Sequence, residues 1–223
     1  MTRVWLVVLL WATLGTVGGC GVRSHPPSPP ISTPEPATAA DLLVVPGQRV
    51  GPVTAQTSRA ALAAHYGEAA LADAPIAMGE GTTAPGTLVT PGPGQAFSVV
   101  WSDSTQTRPQ LARDFGPAWR TPEGLGVGTD YATVAAALGT FGIYGFEWDY
   151  GGTLVLAGSR LGQYDGTLWL RLAPAEAAIA EHPEAYRALI GDTVFSSDNP
   201  NLAVLDLRVY EMVVYFAPPS PPP

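Results

Sequence analysis

The chain has no lysine and a single cysteine, and each scarcity excludes a class of function. All eleven cations are arginines, set against 19 acidic residues for a formal net charge of −8. Nucleic-acid backbones are held by clustered cations. None cluster here, so nucleic acid is not an expected partner. The same shortage removes electrostatic attraction to anionic lipid headgroups. One cysteine cannot close an internal disulfide in any compartment, nor build a cysteine-based metal site. The histidines are few and scattered: His25, His65 and His182, of which only His182 adjoins an acid, Glu181. No Gly-x-Ser-x-Gly elbow occurs. The glycine clusters at 92–94 and 124–128 lack the lysine or the dinucleotide context of a phosphate cradle. No cofactor, no metal and no catalytic set are therefore expected. At 46% hydrophobic and 13% charged residues, the chain is not of disordered composition.

What is present begins with the placement of that cysteine. Arg3 precedes an apolar run from Val4 to Leu14, and the small residues of 15–19 lead into Cys20. This is the tripartite shape of a secretory signal, and it is short for a membrane span. The string Val17-Gly18-Gly19-Cys20 resembles the lipobox of bacterial lipoproteins. The resemblance implies a signal peptide over 1–19, cleavage before Cys20, thioether lipidation of Cys20 and acylation of the new amino terminus. An ordinary signal with an incidental cysteine, or a short anchor helix, is the alternative. On the lipoprotein reading the chain is anchored to a membrane of the cell envelope through Cys20, with its domain in the periplasm or outside. Several acyl chains supply the more than one signal that stable anchoring needs.

Residues 20–41 then carry prolines at 26, 27, 29, 30, 34 and 36. At about 3.1 Å per residue in polyproline II, such a segment is a semi-rigid tether of up to ~60 Å. Another proline run, 218–223, ends the chain. Between them lie roughly 175 residues, enough for one domain with a proper core or two small packed halves.

That region contains an internal repeat. The stretch from Thr57 to Gly67 aligns without gaps with Thr129 to Gly139, 72 residues on. Each copy opens on threonine, an expected N-cap. Each places apolar residues on one helical face (Leu62 and Tyr66; Val134 and Leu138) and stops at glycine. Two alanine-rich helices alike by chance is the competing reading. After the second copy, 143–150 alternates strictly, which predicts a strand with Tyr144, Phe146, Trp148 and Tyr150 on one face and Glu147 and Asp149 on the other. Gly151-Gly152 predicts a turn into a hairpin partner at 153–156. After the first copy, a Gly-, Pro- and Thr-rich excursion precedes a strand over 96–103. A further strand is expected over 167–172, a helix over 174–190 broken near Pro183, and strand structure over 201–216 disturbed at Glu211. The fold class expected is α+β: two tandem helix-plus-antiparallel-sheet repeats forming one domain over 42–217, with halves of about 42–120 and 121–217.

Gly128-Thr129, Val134, Leu138-Gly139 and Trp148-Asp149-Tyr150 together resemble the pattern of the SmpA/OmlA-type outer-membrane assembly lipoproteins. Two such modules in tandem would be similar to the β-lactamase inhibitor protein, a binder built from two helix-plus-sheet repeats. The chain departs from the SmpA/OmlA pattern at Thr140-Phe141, where that family commonly has proline. Fold is what the resemblance implies; function does not follow from fold.

Two functional expectations result. Six tryptophans and eight tyrosines are numerous, and aromatic side chains on an exposed sheet anchor interfaces. A lipid-anchored binding or scaffolding module with an envelope protein partner is the first expectation, with Trp148, Tyr150, Asp149 and Trp101 as its binding residues. The second is an envelope hydrolase using Glu147 and Asp149, which as alternate residues of a strand would lie ~6–7 Å apart, within the span of glycosidase acid pairs. Every alternate pair on every strand has that spacing.

Overall fold

Three short strands open the described chain, β1 (Val44–Val45), β2 (Arg49–Val50) and β3 (Val53–Thr54), a meander that buries Val44, Val50 and Val53. The computed structural model describes residues 41–79 and 81–218. The expected signal peptide, Cys20, the tether up to residue 40 and the proline tail beyond Pro218 lie outside the described residues. After the meander come α1 (Arg59–Tyr66), the hairpin β4 (Leu71–Gly79) and β5 (Thr82–Val89), β6 (Phe97–Trp101) and β7 (Pro109–Arg113). Then follow α2 (Tyr131–Leu138), β8 (Gly142–Tyr144), β9 (Leu154–Val155), β10 (Leu168–Ala173), α3 (Glu176–Glu181), α4 (Pro183–Arg187), β11 (Val194–Ser196), α5 (Pro200–Ala203) and β12 (Arg208–Tyr215). The class is α+β, rich in antiparallel strand.

A six-stranded antiparallel sheet, ordered β10-β12-β7-β6-β5-β4, organises the rest. It draws on both expected halves, because β7 pairs with β12 through Ala112 opposite Val214 and Leu111 opposite Tyr215. Alternation sorts its side chains. Phe97, Val99 and Trp101 of β6 and Leu168, Leu170 and Leu172 of β10 point inward, to a core shared with Leu62 of α1 and Val134 and Leu138 of α2. Trp169 and Arg171, the residues between those leucines, point the other way.

Both helices cap one residue later than the sequence predicts. Ser58 accepts from the Ala61 amide and Asp130 from the Thr133 amide, so these are the N-caps. The threonines before them act one step earlier: Thr57 Oγ1 accepts from the Thr54 amide and Thr129 Oγ1 from the Gly126 amide. Gly67 and Gly139 terminate the helices as expected.

The Gly-, Pro- and Thr-rich excursion is an ordered hairpin rather than a loop. Strand β5 pairs with β6 only over Gly86–Val89. The rest of the hairpin, with Pro75 opposite Pro85, is a two-stranded arm. It lays Ile76, Met78 and Ala84 over a second, smaller apolar cluster of Val100, Leu111 and Val213 on the sheet's outer face. Gly86 permits this closeness, since a Cβ there would stand 2.3 Å from Ile76 Cδ1.

The strand predicted over 143–150 is corrected. Pairing in β8 ends at Tyr144. Gly145 then passes close to another segment, where a Cβ would lie 2.4 Å from the Gly191 carbonyl oxygen. Phe146 is buried against Tyr186, and Glu147 adopts a left-handed φ of 72° that ends any strand. Residues 148–152 form turns leading into β9. The predicted glycine turn, the break before Pro183 and the irregularity beside Glu211 are present. At the last, pairing of β10 with β12 skips Tyr210, a bulge between Glu211 and Val209. The first part of 201–216 is helical (α5) rather than extended.

Gly152 holds the turn against β10. Its φ is +74°, its N–H donates to the Tyr144 carbonyl, its own carbonyl accepts from the Leu172 amide, and a Cβ would fall 2.0 Å from the Leu172 oxygen. Gly158 has a similar φ of +79° in open space. Gly158→Ala is expected to cost only the left-handed conformation, about 1 kcal/mol. Gly152→Ala should cost about 1–3 kcal/mol more by clash. Urea denaturation of the two variants checks this, and equal losses would contradict the close approach.

Candidate functional site

The outer face of the sheet carries the site. Inward positions of β7, β12 and β10 are spent on the core, so their alternate residues rise on the opposite side: Leu111 and Arg113, Glu211, Val213 and Tyr215, and Trp169 and Arg171. The arm stands along one flank with Met78 and Thr82, and the 147–153 loop along the other with Asp149, Tyr150 and Thr153. They enclose a cleft of about 510 Å³, within the range of small-ligand sites, roughly 300–1,000 Å³.

One carboxylate joins the two flanks. Glu211 Oε1 accepts from Arg113 Nη2 at 2.9 Å and Glu211 Oε2 accepts from Arg171 Nη1 at 3.2 Å. Arg113 Nη1 also donates to the Ala77 carbonyl of the arm at 2.9 Å. Arg171 reaches the loop, donating from Nε and Nη2 to the Gly151 carbonyl, both at 3.1 Å, and from Nη2 to the Asp149 carbonyl at 3.0 Å. The three side chains are 20–25% exposed. Charge-assisted hydrogen bonds at that depth are stronger than surface ion pairs. The bulge beside Glu211 is where Arg171 lies over the Tyr210 ring, 5.5 Å from its centroid.

The aromatic lining is bent rather than flat. Trp169 and Tyr215 stand with ring centroids 5.7 Å apart and planes at 53°. Tyr150 leans on Tyr144 at 5.6 Å and keeps 53% of its surface exposed.

The residues named from sequence separate. Asp149 and Tyr150 line the cleft. Trp148 sits on the same loop, 61% exposed, and is not among the cleft's lining residues. Trp101 is on the opposite face of the sheet, fully buried, its Nε1–H donating to Thr87 Oγ1 at 2.9 Å; its assignment as a binding residue is corrected. Glu147 and Asp149 do not share a strand face, because there is no strand there. Both are exposed, and Glu147 accepts from the Tyr186 hydroxyl at 2.8 Å. Among the described residues no three His, Cys, Asp or Glu side chains come together as a metal site needs. Sequence reasoning missed Arg113, Arg171, Glu211 and Tyr215. The available signal was a charged residue recurring at outward positions of otherwise apolar strands.

The chain matches no protein-family model and no curated protein. Among solved structures it is similar to the uncharacterized protein yfeY from Escherichia coli, at 12% identity and a TM-score of 0.41, over 76% of this chain and 95% of that one.

Tyr186 gives the loop a pH signature. Burial, then the hydrogen bond and charge of Glu147, push its phenol up to about 12. In the unfolded chain it ionises near 10. Its contribution to stability is therefore whole below pH 10 and is lost as pH rises through 10 towards 12. Tyr186→Phe should make the fall of unfolding free energy across that window shallower than in the parent chain. An unchanged slope in urea titrations at stepped pH would contradict the assignment.

Proposed function

We propose that the chain is a binding module held on a bacterial envelope membrane by lipid at Cys20, taking its ligand or an envelope partner in the outer-face cleft. The observation that carries the binding reading is the cleft itself. Aromatic side chains are left exposed between two flanks that a single Arg–Glu–Arg network fixes in place, and held geometry is what binding without large ordering costs requires. The anchor rests on the Arg3, Val4–Leu14 and Cys20 pattern, and the proline tether supplies the reach from a membrane to such a domain. Glu147 and Asp149 share no strand face, and Glu147 is engaged by the Tyr186 hydroxyl, which disfavours the paired-acid hydrolase.

The tandem-repeat reading belongs to the same proposal. Three hydrogen bonds recur at an offset of 72: the pre-cap threonines on Thr54 and Gly126, the caps on Ala61 and Thr133, and the glycine amides 67 and 139 on the carbonyls of Ala63 and Ala135. These support duplication of the helical unit. Kinship with the SmpA/OmlA-type lipoproteins and the β-lactamase inhibitor protein draws support only from that unit, since Trp148-Asp149-Tyr150 lies in a turn.

Expression of the whole chain in a bacterial host tests the anchor. The parent should incorporate labelled palmitate and sediment with membranes, and Cys20→Ala should do neither. Palmitate label persisting on Cys20→Ala would overturn the lipid assignment.

A further inference from the structure

We propose that the cleft binds a neutral oligosaccharide, an inference that rests on reading the chain as a binding module and names its ligand class. Charge is the first discriminator. Arg113 and Arg171 are matched by Glu211 and Asp149, so the lining is balanced in a chain that is otherwise strongly acidic. The two guanidiniums are also already engaged, by Glu211 and by the carbonyls of Ala77, Asp149 and Gly151. A phosphate or other anion would have to compete with those bonds. A cation would meet the arginines. Neither sign of ligand is favoured.

Backbone availability is the second discriminator. Extended peptides are bound mainly by adding a strand to a free sheet edge. This cleft lies over the sheet's face; its floor strands β7 and β12 each have neighbours on both sides, and β10, the sheet's end strand, is met on its outer side by the loop, through the Thr153–Arg171 bridge and the Leu172 N–H on the Gly152 carbonyl. Their amides and carbonyls face along the sheet, not into the cleft. What the cleft offers is mainly side chains: hydroxyls of Thr82 and Thr153, acceptor positions on Asp149 and Glu211, and the rings of Trp169, Tyr150 and Tyr215.

That combination suits a molecule that is uncharged, densely hydroxylated and apolar on its ring faces. A pyranose has C–H faces that pack on the electron-rich face of an aromatic ring and equatorial hydroxyls that need donors and acceptors around the rim. The bent Trp169–Tyr215 pair, with Tyr150 lining the same cleft, offers rings at different inclinations, as successive sugar units in a chain require. An apolar ligand would strand the polar rim.

Calorimetric titration of the detergent-solubilised full chain tests this, with four probes: the N-acetylglucosamine tetramer, the glucose tetramer, inorganic phosphate, and a synthetic peptide of residues 21–40 of this chain. At least one neutral tetramer should bind. Trp169→Ala and Tyr150→Ala should each weaken it by about tenfold or more, and Trp148→Ala should leave it unchanged. Tyr150 is 53% exposed and packs only its inner side on Tyr144, and unchanged urea denaturation of Tyr150→Ala separates lost binding from lost folding. Binding by phosphate or the peptide alone, weakened by the same two variants, would overturn the oligosaccharide and leave the binding module standing. No binding by any probe, or binding that both variants retain, would overturn the oligosaccharide and remove the cleft's support for the module.

Discussion

Glu211, accepting from one arginine on each side, is the contact on which the outer face of this protein depends. The sheet would form without it, since its pairing comes from backbone bonds and its inner face from packed leucines and aromatics. The cleft would not keep its shape. One flank is a two-stranded arm that has left the sheet, and the other is a turn-rich loop. The arm packs Ile76, Met78 and Ala84 on the floor and the loop bonds to β10 through Gly152, and each flank is tied further by an arginine that also donates to Glu211. A carboxylate shared by two guanidiniums is costly to desolvate, and a partly buried network of this sort is weak grounds for overall stability. Its effect is positional. It sets where Ala77 and Gly151 stand relative to one another.

The sheet divides the aromatic residues by parity. Trp101 and Trp119 are buried, with their indole N–H groups satisfied by Thr87 and by the Gln95 carbonyl. Such residues hold the core together, and truncating one costs about 3–5 kcal/mol. Trp169, on an outward position of β10, belongs to the cleft. The loop aromatics follow another rule. Phe146 is buried and Trp148 and Tyr150 are exposed because Gly145 and the left-handed Glu147 take the chain out of the sheet between them. Two glycines set the flanks at close range: Gly86 lets Ile76 fold down, and Gly152 lets the loop touch β10.

Much of the element order was legible from the residues. The inward leucines of β10, the glycine stops of α1 and α2, the Gly151-Gly152 turn, the break at Pro183 and the disturbance beside Glu211 all have local chemical causes, and local causes can be read. The stretch 143–150 misled because perfect alternation was produced by a short strand, a buried anchor and an exposed turn in succession. The β4–β5 hairpin was hidden by its prolines, which are tolerated where a strand lies at an edge or has left the sheet. The site was least legible. Arg113 and Glu211 are 98 residues apart, and Arg171 and Glu211 are 40 apart. Only the sheet order β10-β12-β7 makes them neighbours, and no spacing in the sequence encodes that order. Trp101 falls on the inner face, not the binding face, because the alternation of the strand over 96–103 does not say which way its pleat turns.

Hydrogen exchange on Glu211→Gln tests the positional role most directly. A neutral amide of the same shape would keep the packing and lose the double ion pair. Amides in both flanks, residues 76–79 and 81–84 of the arm and 147–152 of the loop, should lose protection together while those of α1 and α2 keep theirs. Faster exchange in one flank only, or in neither, would contradict the claim that one carboxylate holds the two sides of the cleft.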